Sequence, residues 1–147
     1  MTQVTVARDI AAPAALVFRA VSDVAHLPET NPDILSVEFL GETREGVGTR
    51  FCETRKMGKR EAVTELEITE YDSPSRVRFV TDSHGTIWDT VFTVTSKGAD
   101  HCALEIRMDA RPHRLLPKIM NPLFKGLFRK GIAGHLDTVA RWCEQQA

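Results

Sequence analysis

Between residues 34 and 110 apolar and polar positions alternate with a period of two, and from 115 to 142 the period lengthens to three and four. The alternating stretch predicts six strands, over 34–40, 49–57, 61–71, 76–81, 86–95 and 101–110. Val4, Val6, Arg8 and Ile10, alternating with Thr5, Ala7 and Asp9, predict one more. The breaks carry turn residues, among them Glu45-Gly46-Val47-Gly48, Met57-Gly58-Lys59, Asp72-Ser73-Pro74-Ser75 and Ser83-His84-Gly85. Intervals this short favour antiparallel neighbours, because parallel pairs need crossovers of about a dozen residues or more. After the first strand, Pro13 opens a helical stripe of Leu16, Val17, Ala20 and Val21. Pro28 and Pro32 then leave room only for a turn or a brief second helix around His26.

The last period change carries the most weight. Leu115, Leu116, Ile119, Met120, Leu123, Phe124, Leu127, Phe128, Ile132, Leu136, Val139 and Trp142 recur at helical spacing and make a wide apolar face. Pro117 and Pro122 divide this region, and Asn121-Pro122 suits an N-cap and first helical position, so the main helix is expected to start there. The order is strand, two short helices, six strands, long helix. It predicts an α+β fold in a single domain over 1–147, with a curved antiparallel sheet of about seven strands around the C-terminal helix. Such a sheet leaves a cavity beneath the helix.

Parity assigns the faces. Cys102, Leu104, Ile106 and Met108 point inward on the last strand, Trp88, Thr90, Phe92 and Val94 on the one before it, and Val77, Phe79 and Thr81 on the next. On 61–71 the inward set is Ala62, Thr64, Leu66 and Ile68. On 49–57 the better apolar parity is Phe51 and Met57, and it carries Glu53 and Arg55 inward as well. An isolated charge in a dry core costs many kcal/mol. Glu53 and Arg55 therefore pair with one another, line a partly wet pocket, or sit at its rim.

Composition narrows the function. Hydrophobic residues at 42% and charged residues at 27% exclude a disordered chain, and a net charge of −1 gives no global reason to expect nucleic acid. The N-terminal stretch lacks a basic and apolar leader, and no uncharged apolar run approaches the roughly 18 residues of a membrane span. Cys52, Cys102 and Cys143 lie far apart and suit a reducing compartment, so a soluble cytoplasmic protein is expected. The histidines form no metal-like spacing. His84 and His101 fall at turns, and His135, beside Leu136 on the long helix, either faces the cavity or, as the favoured reading, sits on the helix surface. No phosphate loop, nucleophile elbow or triad is present, and no metal or cofactor is expected.

The run Gly46-Val47-Gly48-Thr49-Arg50-Phe51-Cys52-Glu53-Thr54-Arg55, followed by Glu67-Ile68-Thr69-Glu70-Tyr71-Asp72-Ser73-Pro74, resembles the polyketide cyclase/dehydrase branch of the START-related, Bet v 1-like (SRPBCC) superfamily. The helix around Ala12-Pro13-Ala14-Ala15-Leu16-Val17-Phe18 and the terminal helix fit the same pattern, so the resemblance covers essentially the whole chain. It implies a helix-grip fold, and a cavity for lipids, polyketides or quinones. Its matching motifs are turns and core positions, so no catalytic set comes with it.

The expected cavity residues are Phe51, Glu53, Arg55, Thr64, Leu66, Phe79, Trp88, Thr90, Phe92, Met108, Met120, Phe124 and Phe128. Binding or carriage of a hydrophobic small molecule is favoured over catalysis. In a cyclase- or dehydratase-like enzyme, Glu53 would be the general acid or base, its pKa raised by an apolar surround, and Arg55 would hold a ligand oxygen. Arg114, Lys118, Lys125, Arg129 and Lys130 lie in a segment without acidic residues, interleaved with leucines and phenylalanines. That segment is either a solvated basic face or a contact for an anionic membrane or an acidic protein, which would also admit a plain protein-interaction module.

Overall fold

A computed structural model describes residues 2–147. The chain runs β1 (Thr2–Ile10), α1 (Ala14–Ser22), one 3-10 turn (Val24–His26), α2 (Leu27–Thr30), β2 (Ile34–Phe39), β3 (Arg50–Met57), β4 (Arg60–Asp72), β5 (Arg76–Ser83), β6 (Thr86–Gly98), β7 (His101–Pro112), α3 (Leu115–Leu123) and α4 (Lys125–Gln146). The seven strands form one antiparallel sheet in the order β1-β7-β6-β5-β4-β3-β2. Register shifts at Ile34/Ser36, Ile68/Glu70 and Ser96/Gly98 mark bulges. Extra residues on one strand bend it and increase its twist, which curves the sheet.

The concave face follows the predicted parity. Ile10, Ile68, Val77, Leu104 and Ile106 are fully buried there, against Val17, Phe18 and Val21 of α1. From α4, Leu136, Val139, Ala140 and Cys143 join them. These four follow the three–four–seven spacing of one helical face, so only the C-terminal half of α4 is welded to the core. Burial in that seam pushes the Cys143 thiol up to about 12 and leaves it inert. The N-terminal half of α4 is more exposed and lies along the cavity.

The C-terminal region departs from expectation at its break. The helix divides at Phe124, where the backbone leaves helical geometry, and not at Asn121-Pro122. Asn121 lies inside α3, buried, and its amide donates to the Thr86 hydroxyl at 3.1 Å. That tether is worth more to Asn121 than a cap, since it holds α3 to the start of β6. Next to it Gly85, at φ +80°, passes so close to Arg114 that a Cβ would sit 2.8 Å from its side chain. The Gly85 carbonyl accepts from the His113 and Arg114 backbone amides, fixing where β7 ends and α3 begins.

The convex face holds one unexpected charge. Asp89 points outward by parity yet is only 3% exposed. Arg78 grips both of its oxygens from β5, and Arg111 reaches it from β7 at 3.0 Å. Glu70 takes the far side of Arg78 and binds Arg76. The Arg78 hydrogen bonds, followed by those from Arg111, hold the Asp89 carboxyl below the usual carboxylate range despite its burial.

Candidate ligand cavity

Between the concave sheet and the loose half of α4 lies a cavity of about 960 Å³. That is the upper end of the roughly 300–1,000 Å³ typical of small-molecule sites. Phe51, Leu66, Phe79, Trp88, Phe92 and Met108 form its sheet wall, with Thr90 between them. Phe51, Phe79 and Phe92 meet edge to face in series, centroids 6.0 and 5.7 Å apart, which fixes the cavity floor. Leu127, Phe128 and Ile132 line the opposite side on α4. Phe128 closes edge-on against Trp88, centroids 5.1 Å apart. Gly131 and Gly134 also face the space, and an added Cβ at either would meet nothing within 4 Å.

Three expected wall residues are elsewhere. Thr64 is registered opposite Glu53, and its short side chain does not reach the wall beside the longer ion pair. Met120 and Phe124 belong to the segment that turns away at the Phe124 break, so α3 packs against β7 instead of the cavity.

One end of the cavity is polar. β3 presents Glu53 and Arg55 on the inward face, as parity predicts, and their ion pair is closed locally. Arg55 donates from Nη2 at 2.8 Å and from Nε at 3.2 Å, both to Oε1 of Glu53. Glu53 is 8% exposed, so the guanidinium supplies most of the solvation that water would give. Pairing and cavity lining therefore hold together here. Glu53 Oε2 and Arg55 Nη1 keep no side-chain partner among the described residues.

His135 completes this end. The favoured surface reading gives way to the cavity-facing one: it points from α4 into the cavity, its ring 5.9 Å from Phe92 and its Nδ1 2.6 Å from the Asn31 amide. Burial first, and the nearby Arg55 charge second, hold its pKa down to about 4, so the ring is neutral at physiological pH. The only sequence signal was a histidine one step before Leu136, on the same turn as the buried seam. His84 and His101 are exposed, as expected, and among the described residues no group of His, Cys, Asp and Glu is arranged to hold a metal ion.

The basic segment lies apart from the polar end. Arg114, Lys118, Lys125, Arg129 and Lys130 are exposed and form no ion pair among the described residues. Arg129 donates to the Thr5 carbonyl at 3.2 Å, and Lys130 borders the cavity mouth. Beside them Leu115, Leu116 and Leu123 are 74, 69 and 73% exposed.

A family model described as polyketide cyclase/dehydrase and lipid transport matches residues 1–144. The chain belongs to this family. Its fold matches a START superfamily protein from Mycobacterium smegmatis, with a TM-score of 0.82 at 16% identity and 100% of both chains covered. The Zhui aromatase/cyclase from a Streptomyces species gives 0.81 at 15% identity, covering 98% of this chain and 94% of that one. Norcoclaurine synthase from Thalictrum flavum gives 0.70 at 18%, covering 99% and 96%. No curated protein sequence matches the chain. Membership confirms the helix-grip reading of the fold: a long helix held by a curved sheet, with a cavity between them.

Proposed function

We propose that this family member binds and carries a hydrophobic small molecule, of lipid, quinone or polyketide type, between its sheet and α4. The cavity of about 960 Å³, apolar over most of its wall, carries this reading. A natural domain with that much unfilled apolar space forgoes packing contacts that a ligand restores. The three free cysteines, two of them buried, suit a reducing compartment, and the reading places the protein in the cytoplasm. Native mass spectrometry of gently purified protein, followed by denaturing extraction, tests it. A stoichiometric apolar compound is expected. Repeatedly empty protein, with no stabilisation by an apolar ligand panel, would overturn it.

A catalytic reading draws support from the polar end. Glu53, Arg55 and His135 face one open space, and the family description names cyclases and dehydrases. In that reading Glu53 Oε2 takes a proton from an acidic carbon or hydroxyl of a polyketide-like substrate, while Arg55 holds the developing oxyanion. Turnover of an extracted ligand that Glu53→Gln abolishes, with binding retained, would favour the enzyme over the carrier.

Exchange of the ligand is proposed to occur at an anionic bilayer. Among the described residues no helix is long and apolar enough to cross a membrane, and the proposed contact is interfacial. Leu115, Ile119 and Leu123 share one exposed face of α3 at steps of four, flanked by uncompensated Arg114, Lys118 and Lys125. Apolar area beside basic charge matches an anionic lipid surface, with about 1 kcal/mol for each basic residue near it.

A further inference from the structure

The polar end of the cavity has a fixed hydrogen-bond polarity, and Asn31 sets it. The Asn31 side chain is buried, and its Oδ1 accepts from the Asp33 backbone N–H at 3.1 Å. A backbone amide only donates, so the oxygen of Asn31 must face Asp33 and its NH₂ must face His135. The NH₂ lies 2.6 Å from His135 Nδ1. That nitrogen therefore presents a lone pair, and the imidazole proton resides on Nε2. A charged ring would set N–H against N–H, which the pair forbids.

Nε2 has no partner among the described residues, and it is not sealed from the cavity. Thr69 Oγ1 is the buried side-chain polar atom left without a partner among those residues. His135 thus keeps an Nε2–H free in the cavity that Arg55 also lines. Both are donors. Glu53 lines the same space, and its carboxylate repels a full negative charge.

We infer that His135 and Arg55 form a two-donor site for a carbonyl oxygen on an otherwise apolar ligand, with Asn31 as the positioning residue that holds the donor tautomer. This rests on the carrier reading and names its ligand class: a neutral ketone or quinone-like compound, with room for a hydroxyl to donate to Glu53. A plain hydrocarbon leaves the inward donors without a ligand partner, and a carboxylate meets Glu53.

The test uses three probes of one shape: 2-acetylnaphthalene, 2-ethylnaphthalene and 2-naphthoic acid, titrated into the full-length protein. The ketone is expected to bind roughly five- to tenfold more tightly than the ethyl compound, the ratio that one to two net hydrogen bonds give. His135→Leu should bring that ratio close to one. On the wild type, nitrogen-15 NMR should show the Nε2–H tautomer of His135 at neutral pH, with the Nε2 proton moving downfield when the ketone is added. Equal binding of ketone and ethyl probes, tighter binding of the acid, or an Nδ1–H tautomer overturns the inference while the carrier reading stands. Binding of none of the three overturns both.

Discussion

Phe128 meets Trp88 edge-on, with ring centroids 5.1 Å apart, across the mouth of the cavity. This contact joins the unwelded half of α4 to β6, which makes it the latch between helix and sheet. An aromatic pair of this geometry contributes about 0.5–1.5 kcal/mol beyond burial. Phe128→Ala is therefore expected to accelerate ligand release by roughly tenfold or less, since about 1.4 kcal/mol is tenfold in rate. Trp88 fluorescence in a Trp142→Phe background reads that rate by stopped flow. An unchanged release rate would place the exit path elsewhere.

Gly134 gives the same half-helix its softness. It faces the cavity, an added Cβ meets nothing within 4 Å, and its carbonyl also accepts from the Thr138 hydroxyl at 2.9 Å. Gly134→Ala should raise stability by about 0.5–1 kcal/mol through the helix propensity it restores. The same change should slow ligand exchange. Urea unfolding and release kinetics on one variant separate the two effects, and a faster exchange would contradict the assignment.

His135 makes stability depend on pH in a defined window. Its ring is held down to about 4 in the folded chain against an ordinary value of 6.5. Between these values the unfolded chain binds a proton that the folded chain refuses, so stability rises with pH there. The contribution is complete above 6.5, is lost as pH falls through the window, and levels off below about 4. Its ceiling is about 3 kcal/mol, and cavity water lowers it. Arg55, Glu53, Asp33 and Asp137 share the cavity and are common to wild type and variant. His135→Leu should flatten the profile between pH 6.5 and 4, measured by urea midpoints. A slope that persists would assign it to another group.

The face of α3 predicts membrane behaviour separable from folding. Leu116→Glu with Leu123→Glu alters two exposed positions, so stability should stay within about 0.5 kcal/mol of wild type. Sedimentation with vesicles rich in phosphatidylserine should be lost in this double variant. In the wild type it should weaken as salt rises. Binding that is equal on neutral vesicles, or unaffected by the two glutamates, would count against an anionic bilayer. Capture of an acidic protein instead would give the surface to a protein partner.

Periodicity made most of the fold legible. Seven strands, their inward parity and the inward Glu53–Arg55 pair follow from a period of two, because one face of each strand must enter the core. The break in the C-terminal helix did not follow. Asn121-Pro122 is a good local start for a helix, but the hydrogen bond from Asn121 to Thr86 holds it within α3, and that contact joins residues far apart in sequence. The surface reading of His135 was favoured over the cavity-facing one for a related reason. Its neighbours on the helix set its phase, while its partners Asn31 and Phe92 come from other elements. The burial of Asp89 did not follow from strand parity either, because the two arginines that bury it come from the neighbouring strands, at 78 and 111.

The pairing of the first strand with the last sets a schedule for synthesis. Ile10 finds its partner only in Cys102, and Thr2 only in Ala110. At about 5–20 residues per second on a ribosome, β1 spends several seconds without its neighbour. During that interval Val4, Val6 and Ile10 offer an open, partly apolar strand edge to any other nascent chain. The helix that covers β1 emerges later still.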